Sequence, residues 1–498
     1  MGMVLLAACG PQGGGETGEG TSTGTTETST SVAEPTTTST TSETTVDDTG
    51  TSTAGETAAP TTGEPQPVGC ERLAGGDGVD WYLRCGGASD EYVHGVGVDG
   101  AGDLLVAVEL RTLDPAPPFM IGGFEVVPGE ASDILLLKFS SEGEALSVKH
   151  ITGPGNQYIQ AVTVCADGFV IAGGAPPGTD LGGGPLADED FIASFDGEGT
   201  HRWSRSVPIL VESGHIIVSD LACDEAGSLV VAGSLRGGID LGGGPLMSMA
   251  LYDGFVARYD AAGAFEWSLP FGSTGDSAVL PRGVALAPDG GVALVGSFDE
   301  EVDLGGGPLT ATSGDDVLVA RLAADGTHLW SRQIGAEGLQ YGQAVAVDSA
   351  GQVAVSGTFL DEIEIGADIY TNVFIEAQEE VDGTLYDGFV ARYDEAGALQ
   401  WSEQIGSMLD DDVRKLMYDA SDKLVVRAFT GERLVVRVYT DTTQSAEWGT
   451  DQLSDGDVAL IGEEAVVIGG STRDGFDLGA GLLAPRGEAD MVLARVRR

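Results

Sequence analysis

The chain has 498 residues, with 77 Gly, 78 Asp and Glu against 24 Lys and Arg, and a formal net charge of −54. The length exceeds what one ordinary core requires. The charge repels nucleic acid and anionic lipid and favours cations and basic partners, so no nucleic-acid partner is expected. The glycines follow no G-x-y period, which excludes collagen.

The chain opens MGMVLLAACG, with Leu6-Ala7-Ala8-Cys9 closing a short apolar run. This stretch resembles a bacterial lipobox. The resemblance implies an exported protein, acylated at Cys9 and anchored through it in outer-membrane lipid. A secretory signal carries a basic n-region and a longer apolar core. The first basic residue here is Arg72, so a start upstream of Met1 is expected. Residues 10–68 are almost entirely Thr, Ser, Gly, Glu and Pro, as in TSTGTTETSTS. Such a segment buries too little to offset its ordering entropy and is expected to be a disordered tether. No run of about 20 apolar residues occurs, so anchoring would rest on acyl chains. The expected boundaries are 1–9 for the truncated signal, 10–68 for the tether and 69–498 for the folded domain.

From residue 69 the chain repeats. Examples are QAVAVDSAGQVAVSGTF (Gln343–Phe359), DGFVARYDAAGAFEWS (Asp253–Ser268) and DGFVARYDEAGALQWS (Asp387–Ser402). Each unit has four short apolar runs, here strands A to D, separated by Asp-x-x-Gly turns and lacking a 3.6-residue period. Strand C occurs seven times. So does the aromatic site of strand D: Trp81, Leu146 (substituting), Trp203, Trp267, Trp330, Trp401 and Trp448. A period near 60 residues with four strands per unit predicts an all-β fold, a seven-bladed β-propeller with four-stranded antiparallel blades. The last copy ends in strand C (MVLARVRR), and an orphan strand D, Trp81–Arg84, precedes the first unit. The N-terminal strand is expected to pair with the C-terminal three, close the ring and remove free edges.

The FVARYD, GxxxWS, VAVDxxG and DLGGGPL pieces resemble the bacterial seven-bladed propeller-repeat family of extracellular lipoproteins, as in myxobacteria, over about residues 80–498. That resemblance implies a fold and is silent on activity.

DLGGGPL occurs at Asp180–Leu186, Asp240–Leu246 and Asp303–Leu309, with DLGAGLL at Asp477–Leu483. A phosphate loop leads from a strand into a helix and usually carries Lys; these copies have neither helix nor Lys. They read as blade-marker turns between strands B and C. Asp180, Asp240 and Asp303 would cap them. Gly182, Gly183, Gly184, Gly242, Gly243, Gly244, Gly305, Gly306 and Gly307 would permit the tight path. B–C and D–A connections share one face in such blades. Long insertions at Arg111–Ala131 and Leu360–Tyr386 make that the expected binding face.

The expected role is binding or scaffolding at the cell surface or in the periplasm, with an unknown protein or polysaccharide as partner. The competing reading is a hydrolase or lyase acting on a surface polymer at the channel mouth. No catalytic residue is assigned. His201 and His328 share a repeat position and read as structural, whereas His94 and His215 fall in D–A loops. Cys70 and Cys85 flank the orphan strand and are expected to bridge in an oxidising compartment. Cys165 and Cys223, in successive blades, are expected to be buried free thiols held too far apart to bridge. Asp315, Asp316, Asp410, Asp411 and Asp412 are candidate calcium ligands, although the EF-hand pattern is absent. No other cofactor is expected.

Overall fold

A computed structural model describes residues 69–497 except 77, 113–115, 166, 273–276, 374–384, 432, 451–454, 463–464, 473–477 and 479–488. Cys9, the tether, most of the DLGAGLL copy and the centre of the 360–386 insertion lie outside the described residues.

Strands B and C are buried along their whole length, as in Val353–Phe359 and Asp316–Leu322, because neighbouring sheets cover both faces. They therefore read as continuous apolar runs with no alternation. Strand D is the outer strand, and only part of it is covered, as in Phe265–Phe271. Six four-stranded antiparallel sheets form from consecutive strands within residues 90–151, 158–206, 215–271, 279–334, 340–405 and 411–450, called blades 1 to 6.

The remaining sheet departs from the expected four-stranded closing blade: it has seven strands. Asp455–Ile461, Ala465–Thr472 and Asp490–Arg497 are followed by the N-terminal Val79–Gly86. Gly69–Ala74 adds a further strand, and two short strands of the blade 1 insertion, Phe119–Ile121 and Phe124–Val126, extend the edge. Gly69–Ala74 pairs with Val79–Gly86 as a hairpin, and Cys70 and Cys85 form a disulfide across it. Val79–Gly86 has the register of a strand D. Trp81 faces Arg495 as Trp267 faces Arg258, Trp330 faces Arg321 and Trp401 faces Arg392, with a one-residue bulge beside each pair.

Buried clusters lie between consecutive sheets. One joins Ile216 and Leu229 of blade 3 to Val170 and Ile192 of blade 2. Another joins Trp81, Val467 and Leu493 of the seven-stranded sheet to Val106 and Leu135 of blade 1. A third joins Val458 and Ile468 of that sheet to Val425 and Leu434 of blade 6.

Blades splay as radius grows, so the outer wedge needs filling. The B–C hairpins supply it: Leu181, Leu241 and Leu304 are buried between blades, as is Leu478 of DLGAGLL. The hairpins do not stand over the channel face. They fold back along the outer strand of their own blade, where Gly183 lies under the His201 ring, Gly243 under Phe265 and Gly306 under His328. A side chain at those three positions would collide with the ring.

Three Trp of strand D clasp the next blade through a hydrogen bond. Indole Nε1 donates to a C–D turn carbonyl: Trp203 to Ala261 at 3.2 Å, Trp267 to Ala324 at 2.9 Å and Trp330 to Glu395 at 2.9 Å. In blade 1 the register puts Ser147 at the Trp position and Leu146 at the bulge, which corrects the expectation that Leu146 substitutes, and the stem of Lys149 covers Gly199 of the next turn instead.

Cys165 and Cys223 form a disulfide with Cα atoms 5.7 Å apart, which corrects the expectation of free thiols. Both end strands A. These strands lie at the smallest radius, so matched positions of neighbouring blades approach most closely there, within the span of about 4.4–6.8 Å that disulfides bridge.

The Asp opening strand C closes the connection behind it. The Asp133 carboxylate accepts the Gly129 N–H at 2.7 Å, Asp253 that of Met249 at 2.8 Å and Asp316 that of Thr312 at 2.9 Å. Asp316 also accepts from Gln333 Nε2 at 2.5 Å and is fully buried. Asp316→Ala would strand both donors and should cost about 1–3 kcal/mol. Urea denaturation of the variant would measure this, and an unchanged midpoint would show that the carboxylate is dispensable.

Candidate binding face of the channel

Strands A line the central channel, and their inner edges have no ladder partner. Side chains reach across to satisfy them. Gln160 Oε1 accepts the Val218 N–H at 2.8 Å, Asp220 Oδ2 that of Val284 at 2.8 Å and Asp457 Oδ2 that of Val96 at 3.1 Å. Each bond ties one blade to the next and meets the need of a buried edge donor.

At its waist the channel encloses a cavity of about 220 Å³, lined by Gly95, Val162, Asp220, Lys415, Asp457 and neighbours. Lys415 Nζ lies 3.2 Å from Asp457 Oδ1. Asp457 and Asp220 hold the Lys415 ammonium above its ordinary range despite burial. Burial pushes Asp220 up to about 6, against the Val284 amide, which favours its charged form. It keeps some contact with channel water, while protein surrounds the carboxylate closely enough for desolvation to win.

This gives a pH prediction. The folded value of Asp220 lies above the unfolded one, so the native state takes up a proton as pH falls through about 6. Stability therefore rises from pH 7 toward pH 4. Asp190 and Asp411, each pushed up to about 6 by burial, act with the same sign. Asp220→Asn should flatten the rise by about 1–3 kcal/mol. Urea midpoints at pH 7 and pH 5 would show it; identical slopes in the two proteins would contradict the assignment.

Six strands A carry a one-residue bulge at matched positions near their entrance: His94, Gln160, Ser219, Arg282, Gln343 and Arg414. Every bulged residue is polar. A bulge re-aims a side chain and recurs at sites. On the blade 1 side, His94 Nε2 lies 3.2 Å from Glu109 Oε2, and Arg111 Nε lies 2.6 Å from Oε1. Burial opposes the Glu109 charge, but these two partners hold its carboxyl below the usual range. The Arg111 guanidinium lies over the Tyr92 ring at 4.7 Å. On the opposite side, Tyr341 and Tyr386 rings sit 6.0 Å apart, and burial and the nearby Asp315 carboxylate push the Tyr341 hydroxyl up.

The sequence-predicted residues disperse. Asp180 Oδ1 accepts the N–H groups of Gly182 and Gly184 at 2.7 and 2.9 Å, Asp240 those of Gly242 and Gly244, and Asp303 those of Gly305 and Gly307. The turn's own carboxylate thus occupies the donors a phosphate would need. His201 and His328 bond Ser204 and Ser331 beside those glycines. His150 pairs with Asp133, and His215 is exposed at the start of strand A in blade 3.

The calcium candidates do not converge. Asp316 caps its loop, Asp315 engages Tyr341, Asp410 accepts the Tyr386 N–H, Asp411 that of Ser407, and Asp412 pairs with Arg414. Among the described residues no group of three His, Cys, Asp or Glu is placed to hold a metal. Sequence reasoning missed the bulge residues. The signal was the polar column that appears when strands A are aligned: HG, QA, SD, RG, QA, RK.

Exposed large apolar side chains have a one-sided distribution. Apart from Leu146 and Leu329, at the bulges of strand D, those among the described residues lie on B–C or D–A connections, Leu210, Met249 and Met408 among them.

No family model matches the chain. It is 30% identical over 145 residues to the Regulatory protein FlaEY of Caulobacter vibrioides, covering 29% of this chain and 14% of that protein, so the chain spans about a seventh of the length of the curated relative it matches. Among solved structures it is similar to the β-propeller domain of Cps50 (Swd1) from Myceliophteria thermophila, at 8% identity, 76% and 94% coverage and a TM-score of 0.40. It is likewise similar to the β-propeller domain of the Trilobed protease from Pyrococcus furiosus, at 10% identity, 76% and 91% coverage and a TM-score of 0.37. A puromycin hydrolase gives 12% identity, 80% and 55% coverage and a TM-score of 0.42. The arrangement of strands in this chain is that of an all-β propeller with four-stranded antiparallel blades.

Proposed function

We propose that the chain is an exported binding or scaffolding propeller whose ligand meets the channel mouth at the entrance of strands A. The ring of polar bulge residues from His94 to Arg414 carries this reading. The opposite face offers short turns whose donors are used internally, as at Asp260 and Asp394. The partner class is a protein or polysaccharide of the cell surface. An array of glycans and peptides probed with the full chain, with and without calcium, tests it. Discrete hits are expected; turnover of a soluble substrate without retained binding would sink it.

A second reading, a hydrolase or lyase on a surface polymer, draws on the His94–Glu109 pair at the same mouth. Product release from the array's polymers would favour it.

We further read the seven-stranded sheet as a seventh blade that closes the ring, with Val79–Gly86 as its strand D. The shared Trp–Arg register supports this. Membership of the bacterial propeller-repeat lipoproteins, with acylation at Cys9, is part of the same proposal. Two disulfides suit an oxidising compartment. Cys9→Ala should leave the membrane fraction; retention there would defeat the lipid anchor.

A further inference from the structure

The two bulge arginines stand out in a chain with 24 basic residues against 78 acidic ones. Arg282 (blade 4) and Arg414 (blade 6) flank strand A of blade 5, which brings Tyr341 and Gln343 between them. Arg414 spends its Nε on Asp412. The Arg282 guanidinium makes no hydrogen bond or ion pair among the described residues. It is solvent-accessible, yet burial and the nearby Arg414 charge hold it below its ordinary value. Two like charges brought together in an acidic protein cost free energy unless an anion joins them.

Nearby carboxylates do not fill that place. Asp412 is committed to Arg414 and Asp315 to Tyr341. Burial also pushes the Asp315 carboxyl up. Tyr386 stands beside Tyr341, supplying a second ring and hydroxyl.

We propose that Arg282 and Arg414 clamp the carboxylate of a sugar acid whose ring rests against Tyr341 and Tyr386, with Gln343 offering an amide to its hydroxyls. A guanidinium fork matches a carboxylate. The surrounding acidic surface disfavours multiply charged anions such as phosphate. This proposal rests on reading the mouth as the binding face and names the ligand class for it.

Titration calorimetry of the full chain with glucuronate, glucose, inorganic phosphate and acetyl-alanyl-alanine tests it. Glucuronate should bind saturably, with the other three about tenfold weaker or more, because losing a charge-assisted bidentate contact costs at least that. Arg282→Gln should weaken glucuronate by about tenfold or more with an unchanged melting temperature, since Arg282 holds no internal partner. A uronate trimer binding tighter than the monomer would assign the source to a polymer, and equal binding to a free sugar acid. The proposal falls if glucuronate fails to saturate by about 10 mM, if glucose, phosphate or the dipeptide binds as well, or if Arg282→Gln binds like wild type. Array hits that survive Arg282→Gln would overturn the sugar-acid site and leave the proposed function standing. An array without hits would overturn both.

Discussion

Replacing Trp81 by alanine is expected to cost about 3–5 kcal/mol, the range for deleting a large buried aromatic side chain. Trp81 is 2% exposed. Its ring lies against Gly143 in the C–D turn of blade 1, and the Arg72 guanidinium sits 5.6 Å from the ring centroid. The residue therefore joins the N-terminal strand to blade 1, while its own strand is held to the C-terminal strand through Arg495. Losing it loosens the N-terminal strand, whose pairing with Asp490–Arg497 no short connection supplies. Trp203 is the useful control. It packs on the matching turn glycine, Gly263 of blade 3, but at a more exposed position and away from the N-terminal strand. The urea midpoint of Trp81→Ala should fall well below that of Trp203→Ala. Equal shifts would mean that the N-terminal strand carries no special share of stability.

The second large effect is expected at the disulfide between Cys165 and Cys223. It closes a loop of 58 residues in sequence. Constraining a loop of that length in the unfolded chain contributes about 4 kcal/mol in the chain-entropy model. Cys165→Ala combined with Cys223→Ala should lose most of this, and dithiothreitol should destabilise wild type by more than the double variant, which keeps only the Cys70–Cys85 bridge. A double variant within about 1 kcal/mol of wild type would show that the bridge does little beyond packing. The bridge joins the strands A of blades 2 and 3, so its loss should also loosen the channel wall near Gln160 and Val218. Faster amide exchange at Val218 would report that locally.

The parts of this fold that depend on local pattern were legible in the sequence. Buried strands such as Val353–Phe359, the recurring Trp of strand D and the Asp-x-x-Gly turns each follow from one strand or one turn. The orphan strand at Trp81 was legible because a repeat with a missing member predicts its partner. What depends on radius was not. The distance between strands A decides whether Cys165 reaches Cys223, and the wedge between blades decides where the DLGGGPL hairpin goes; neither is set by spacing along the chain. Gly69–Ala74 was hidden because GCERLA is short and partly polar. Arg282 and Arg414 were hidden because a bulge adds a residue and breaks the alternation that marks a strand face.

The central claim is that the entrance of strands A binds the ligand. The most direct test is the same glycan and peptide array probed in parallel with wild type and with a variant carrying Arg282→Gln, Tyr341→Ala and Arg414→Gln, after matching melting temperatures establish that the variant is folded. The wild-type hits should disappear together in the variant. Hits that persist at wild-type strength would place the binding surface elsewhere on the propeller.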